Sequence, residues 1–105
     1  MKNFILTVAA ASLALLSGHA VAQAPSDAQI ASIVVTANQV DIDAGKLASS
    51  KTKNAEVKKF ADLMITDHTG VNRSATELVT RLHVTPQDND TSQALKAGGD
   101  KNVAA

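Results

Sequence analysis

Two stretches in which apolar residues return every third or fourth position, parted by a short polar break, commit this chain to helices. The first carries Ile30, Ile33, Val34, Ala37, Val40, Ala44, Leu47 and Ala48. The second carries Val57, Phe60, Ala61, Met64, Val71, Ala75, Leu78, Val79 and Leu82. That spacing marks one face of an α-helix. The β-branched run Ile33-Val34-Val35-Thr36 would suit a strand, but the longer period outweighs it. The first helix has a start signal in Pro25-Ser26-Asp27-Ala28-Gln29. Ser26 and Gln29 stand at capping-box spacing, and Asp27 favours the positive end of the helix dipole. Ser49 to Asn54 contains no apolar residue and reads as a loop. Asn54 is placed to cap the second helix, with Glu56 in its first turn. A short loop between two long amphipathic helices predicts an antiparallel helical hairpin.

The second helix should end before Pro86, which cannot continue it without strain. A weaker start follows from Thr91 to Ala97, capped by Asp90 and weakened by Gly98-Gly99. The apolar stripes fill about three positions in seven, wide enough to meet more than one neighbour. The expected fold is therefore all-α, a hairpin forming part of a larger helical bundle. Either further helices or a second copy of the chain would complete it.

Ahead of the hairpin, residues 1–22 read as a cleavable export signal. Lys2 supplies the positive charge, Phe4 to Leu16 the apolar run, and Ala20-Val21-Ala22 the small-x-small cleavage pattern. The apolar run falls short of the ~20 residues that a membrane span needs. Cleavage after Ala22 would leave Gln23 first, and no Cys marks a lipid-anchored form. The expected address is the periplasm, with no integral membrane span after cleavage.

The composition of residues 23–105 excludes several function classes. Taking Lys2 from the ten basic side chains leaves nine against ten acidic ones. Nucleic-acid binders normally carry a basic patch, so none is expected as a partner. The absence of Cys rules out thiol catalysis and thiolate metal sites. Phe60 is the only aromatic residue of residues 23–105, too few for a base-stacking platform. At 83 residues without staples, the chain lies near the lower limit for an independent core.

Two ionisable residues interrupt the apolar stripes. Asp41 follows Ala37 by four and precedes Ala44 by three; His68 follows Met64 by four and precedes Val71 by three. With Ala48 set near Val57, an antiparallel register puts Asp41 near Met64 and His68 near Ala37, about one helical turn (~5.4 Å) apart. Asp67 borders the same face. The three could hold a transition metal or pass a proton in a bundle core, or Asp41 and His68 could share a hydrogen bond that fixes helix register. The Glu-x-x-His pattern of a di-iron bundle is absent, because Ile65 stands three before His68. His83 is placed to interact with the negative end of the second helix. Thr69, Ser74 and Thr76 lack the oxyanion-stabilising loop of a nucleophile triad, so no catalytic residue is assigned.

Val40-Asp41-Ile42-Asp43-Ala44-Gly45-Lys46-Leu47-Ala48, Val57-Lys58-Lys59-Phe60-Ala61 and Met64-Ile65-Thr66-Asp67-His68 resemble the exported bacterial family called domain of unknown function 4142. Members are often labelled outer-membrane proteins. The resemblance runs from about Ser26 to the C-terminus, and its most specific part is the Phe-Ala then Met-x-x-Asp-His pattern. It implies a ferritin-like four-helix bundle of which these residues are roughly the N-terminal half. The family more often has Glu where Asp41 stands, and its later Phe-Asp pair and further His residues have no counterpart here. No alternating strands of a membrane barrel are visible in the sequence. The functions to separate are thus a non-enzymatic bundle that binds a partner or serves envelope stress tolerance, and a metal-binding or metal-dependent redox protein using His68 with a nearby carboxylate.

Overall fold

The computed structural model describes residues 23–105; the expected signal segment, residues 1–22, lies outside them. Three helices follow one another: α1 (Asp27–Lys51), α2 (Ala55–Arg81) and α3 (Asp90–Ala104). There is no strand among the described residues. None of their helices is long and apolar enough to cross a membrane.

Local chemistry sets the helix starts. The Ser26 hydroxyl accepts from the Gln29 amide at 3.2 Å, and the Gln29 side chain accepts from the Ser26 amide at 3.0 Å. Asn54 accepts from the amides of Glu56 and Val57 at 2.9 and 3.1 Å. Both caps match the sequence reading. The third does not. Asn89, not Asp90, caps α3, closing a reciprocal capping box with Ser92.

Two boundaries also differ from expectation. The polar stretch from Ser49 reads as loop in the sequence, yet α1 runs on to Lys51 and only Thr52, Lys53 and Asn54 connect the helices. Its last turn is held from across the hairpin. The Ser49 hydroxyl donates to Asp62 at 2.6 Å and accepts from the Lys58 ammonium at 2.8 Å. And α3 continues through Gly98-Gly99 to Ala104, so the hairpin is one part of a three-helix unit. Gly99 is needed there, because a Cβ would come within 2.7 Å of a Val40 methyl. Gly98 faces open space. The pair predicts opposite results. Gly98→Ala should stabilise by roughly 0.5–1 kcal/mol through helix propensity. Gly99→Ala should cancel that gain by pushing α3 off Val40. Denaturant midpoints of the two variants check this.

Helix α1 meets two neighbours, although much of its apolar stripe, Ile30 and Val34 included, stays exposed. Its Gly45 side packs against Ala61 and Ile65 of the antiparallel α2. The opposite side, with Ser32 and Val40, packs against α3, which runs in the same direction as α1. Helices α2 and α3 do not touch each other. The result is a single layer in the order α2, α1, α3.

The contacts inside the layer are made by small residues. Among the described residues, Ser32, Gly45, Ala61, Ser92 and Gly99 are buried, joined by only one large apolar side chain, Ile42. Loop residue Asp88 ties α3 to α1, since one of its carboxylate oxygens accepts from both the Ser32 and the Ser92 hydroxyls. The Gln87 amide adds a bond to the Ala28 carbonyl at 2.9 Å. On the surface, Lys96 donates to Asp100 at 2.7 Å. That bond, then the charge of Asp100, raises the Lys96 pKa above its ordinary 10.5. A raised lysine pKa means that this small contribution is intact at neutral pH and fades only as pH climbs through the raised value.

His83 has an unforeseen role. It takes a left-handed conformation, φ 55°, just past α2. The Val84 amide then reaches the Val79 carbonyl at 2.9 Å and the His83 amide the Thr80 carbonyl at 3.2 Å. These two bonds form a Schellman motif, whose left-handed position normally belongs to Gly. His83→Gly should therefore stabilise the fold by about 1 kcal/mol, read as a rise in the unfolding midpoint.

Candidate functional site

The ionisable pair anticipated in the stripes is formed. His68 Nε2 lies 3.2 Å from Asp41 Oδ2, across α1 and α2 at mid-length. The expected offset of one helical turn is corrected to direct contact. Gly45 lets the backbone of α1 seat on Ala61 and Ile65, which shifts the register from the pairing of Ala48 with Val57. Asp41 thereby moves level with His68.

The other ring nitrogen is also engaged: His68 Nδ1 is 2.9 Å from the Met64 carbonyl, one turn back on its own helix. A carbonyl is only an acceptor, so Nδ1 carries a proton and Nε2 is the variable position. Protonated, Nε2 donates to the Asp41 carboxylate. Unprotonated, it presents a lone pair beside that carboxylate. The His68 side chain is 24% exposed and Asp41 is 48% exposed, so solvent reaches the pair.

Asp67 does not join them. It lies one position round α2 and is exposed. Among the described residues, no three His, Cys, Asp or Glu side chains converge. His68 and Asp41 are thus a two-donor pair, with Asp67 on the adjoining surface.

Asn72, four residues beyond His68, was not singled out in the sequence. Its side-chain amide donates to the Val35 carbonyl at 3.2 Å, while its Oδ1 is buried without a partner. The available signal was its i+4 relation to His68, on the same line of α2. The Asp88 tie to Ser32 and Ser92 had no such signal, because Ser32 and Asp88 are 56 residues apart.

The broadest feature beside the pair is apolar. The line of α2 that meets α1 runs through Ala61, Ile65, His68 and Asn72; the row one position earlier includes Phe60, Met64, Asp67 and Val71. On α1 the meeting line includes Ile42, Gly45 and Ser49, and the earlier row Asp41, Ala44 and Ala48. An antiparallel helix pair has a local two-fold normal to its plane, so both earlier rows look out from the same side. Of nine exposed large apolar side chains among the described residues, seven belong to that side: Val57, Phe60, Val71, Leu78 and Leu82 from α2, and Ile30 and Val34 from α1. Phe60 is 63% exposed and Leu82 61%. The Asp41–His68 pair opens onto the middle of this face.

A separate open groove of about 750 Å³ lies between α1 and α3, lined by Val35, Val40, Leu47 and Val103 with Lys46 and Lys96. It holds neither member of the pair.

Residues 10–103 match the family model described as "Domain of unknown function (DUF4142)". The chain belongs to this family. No curated protein and no solved structure matches it. Family membership and the all-helical fold agree with the resemblance read from the Phe-Ala and Met-x-x-Asp-His segments.

Proposed function

We propose that this DUF4142 chain is an exported, non-enzymatic helical interaction module of the bacterial periplasm, which holds a protein partner by the apolar face of α1 and α2. The observation that carries this reading is the gathering of seven exposed large apolar side chains on one side of the layer. Contiguous apolar patches of this kind mark interaction sites in soluble proteins. Export rests on Lys2, the apolar run Phe4 to Leu16 and the Ala20-Val21-Ala22 pattern. Any part in envelope stress tolerance would pass through the partner rather than through chemistry at the site. In this reading α1 and α2 are half of a ferritin-like bundle whose other half the partner supplies.

Photoreactive side chains at positions 60 and 82, introduced in cells producing the chain, test the reading. A discrete cross-linked product in the periplasmic fraction, on a chain beginning at Gln23, is expected. A probe at position 101 on α3 should give none. No product from positions 60 and 82, or a chain retained in the cytoplasm, would overturn it.

One contact favours a second reading, in which His68 binds a transition metal together with Asp41. Metal-ligating histidines commonly donate their other N–H to a carbonyl or carboxylate, as Nδ1 does to Met64. One equivalent of zinc or ferrous iron bound by the purified protein, and lost in His68→Ala, would support it. Absence of binding would remove it.

A further inference from the structure

We infer that the occupant of the apolar face is a second copy of this chain, packed face to face across a two-fold axis at right angles to the helices, with both Asp41–His68 pairs at its centre. The inference rests on the reading of that face as a docking surface and supplies the occupant.

Size is the first argument. The α1 helix has 25 residues and α2 has 27. At 1.5 Å per residue and ~10 Å per helix, their shared face measures ~38 by ~20 Å, or roughly 760 Å². A standard stable interface buries about 800 Å² per partner. The face is the right size for one copy of itself.

Polarity is the second. The middle residue of α1 is Gln39 and that of α2 is His68, so the Asp41–His68 pair sits near the midpoint of the face, with apolar ends on either side. A two-fold through the midpoint sets polar centre on polar centre and apolar end on apolar end. Sliding one copy along the other would bury the carboxylate against hydrocarbon, which costs energy unless it is paired.

Shape is the third. An axis at the level of Gln39 places Val34 of one copy beside Ala44 of the other, and Ile30 beside Ala48. Large residues thus meet small ones along α1. On α2, the Phe60 end of one copy meets the end that carries Leu78 and Leu82. Facing positions that alternate large and small interdigitate well.

The arrangement can be trapped. The chain has no Cys, so two introduced thiols are the only ones present. Positions 34 and 44 of one chain are ~15 Å apart along α1, beyond the ~7 Å Cα separation that a disulfide spans. Across the axis they face each other. In protein purified from cells expressing the full chain, Val34→Cys/Ala44→Cys should give about ten-fold more covalent dimer than either single variant, whose thiols lie ~15 Å apart across the axis. Sedimentation of the unsubstituted protein should show a dimer that Leu78→Asp converts to a monomer of unchanged helicity. A double variant that links no faster than the singles would overturn the inference. So would a monomeric unsubstituted protein at micromolar concentration. A monomer that binds an apolar dye refutes the second copy but leaves the docking face standing. A monomer that excludes the dye refutes both.

Discussion

Asp88→Ala should cost about 2–3 kcal/mol and release α3 from α1. Ser32 and Ser92 are 5% and 1% exposed, and both hydroxyls point at one Asp88 oxygen. Bonds to a charged acceptor contribute about 1.5–3 kcal/mol, and a buried hydroxyl left without an acceptor costs ~1–3 kcal/mol. The two donors do not lose equally. Ser92 can still turn to the Asn89 carbonyl at 3.1 Å, so most of the loss falls on Ser32. Among the described helices α3 touches only α1, so no other helix holds it in place. Urea unfolding gives the magnitude, and limited proteolysis should show cleavage within α3 before α2. Asp88→Asn keeps an acceptor oxygen and should retain most of the stability. A loss below ~0.5 kcal/mol in Asp88→Ala would mean that this tie is dispensable.

The second large effect belongs to Gly45. A Cβ there would lie 3.0 Å from Ile65 Cγ1 and 3.2 Å from the carbonyl oxygen of Ala61. The side chain can turn away, whereas the carbonyl belongs to the α2 backbone and cannot. Gly45→Ala trades this tightness against better helix propensity, and the two nearly cancel. Gly45→Val adds two methyl groups and must push the helices apart. Overpacking of this kind costs about 1–3 kcal/mol, and the upper end is expected because the contact is with backbone. Separation should also part His68 from Asp41. The same variant that lowers the unfolding midpoint should therefore change the His68 ring signals in NMR spectra. Unchanged ring signals in a destabilised Gly45→Val chain would show that the two contacts are independent.

How far these features could be read in advance depends on the range of the interaction. The Ser26 and Asn54 caps were legible because they act over two or three residues. The Asp41–His68 pair was legible because each residue breaks an otherwise apolar row. Its direct contact was not, since register depends on how closely Gly45 approaches Ala61, and spacing within one helix carries no such distance. Ser49 looked like loop because its partners, Lys58 and Asp62, lie across the hairpin. The α3 cap was misplaced by one residue, with Asn89 and Asp90 both suitable by type. Periodicity also located the large apolar residues without showing which neighbour they meet. Small residues make the contacts within the layer, and seven of the large ones face outward from α1 and α2.

A layer one helix thick has no interior of its own. With only Ile42 and Ala61 buried among the apolar side chains of the described residues, an isolated copy gains little from hydrophobic burial. In the dimer proposed above, association adds to the stability of each three-helix unit, so stability is a property of the solution as much as of the chain. Each ten-fold rise in protein concentration should add about 1.4 kcal/mol of apparent stability. The melting temperature should climb by several degrees with it, and the chain should be at its weakest where it is scarce.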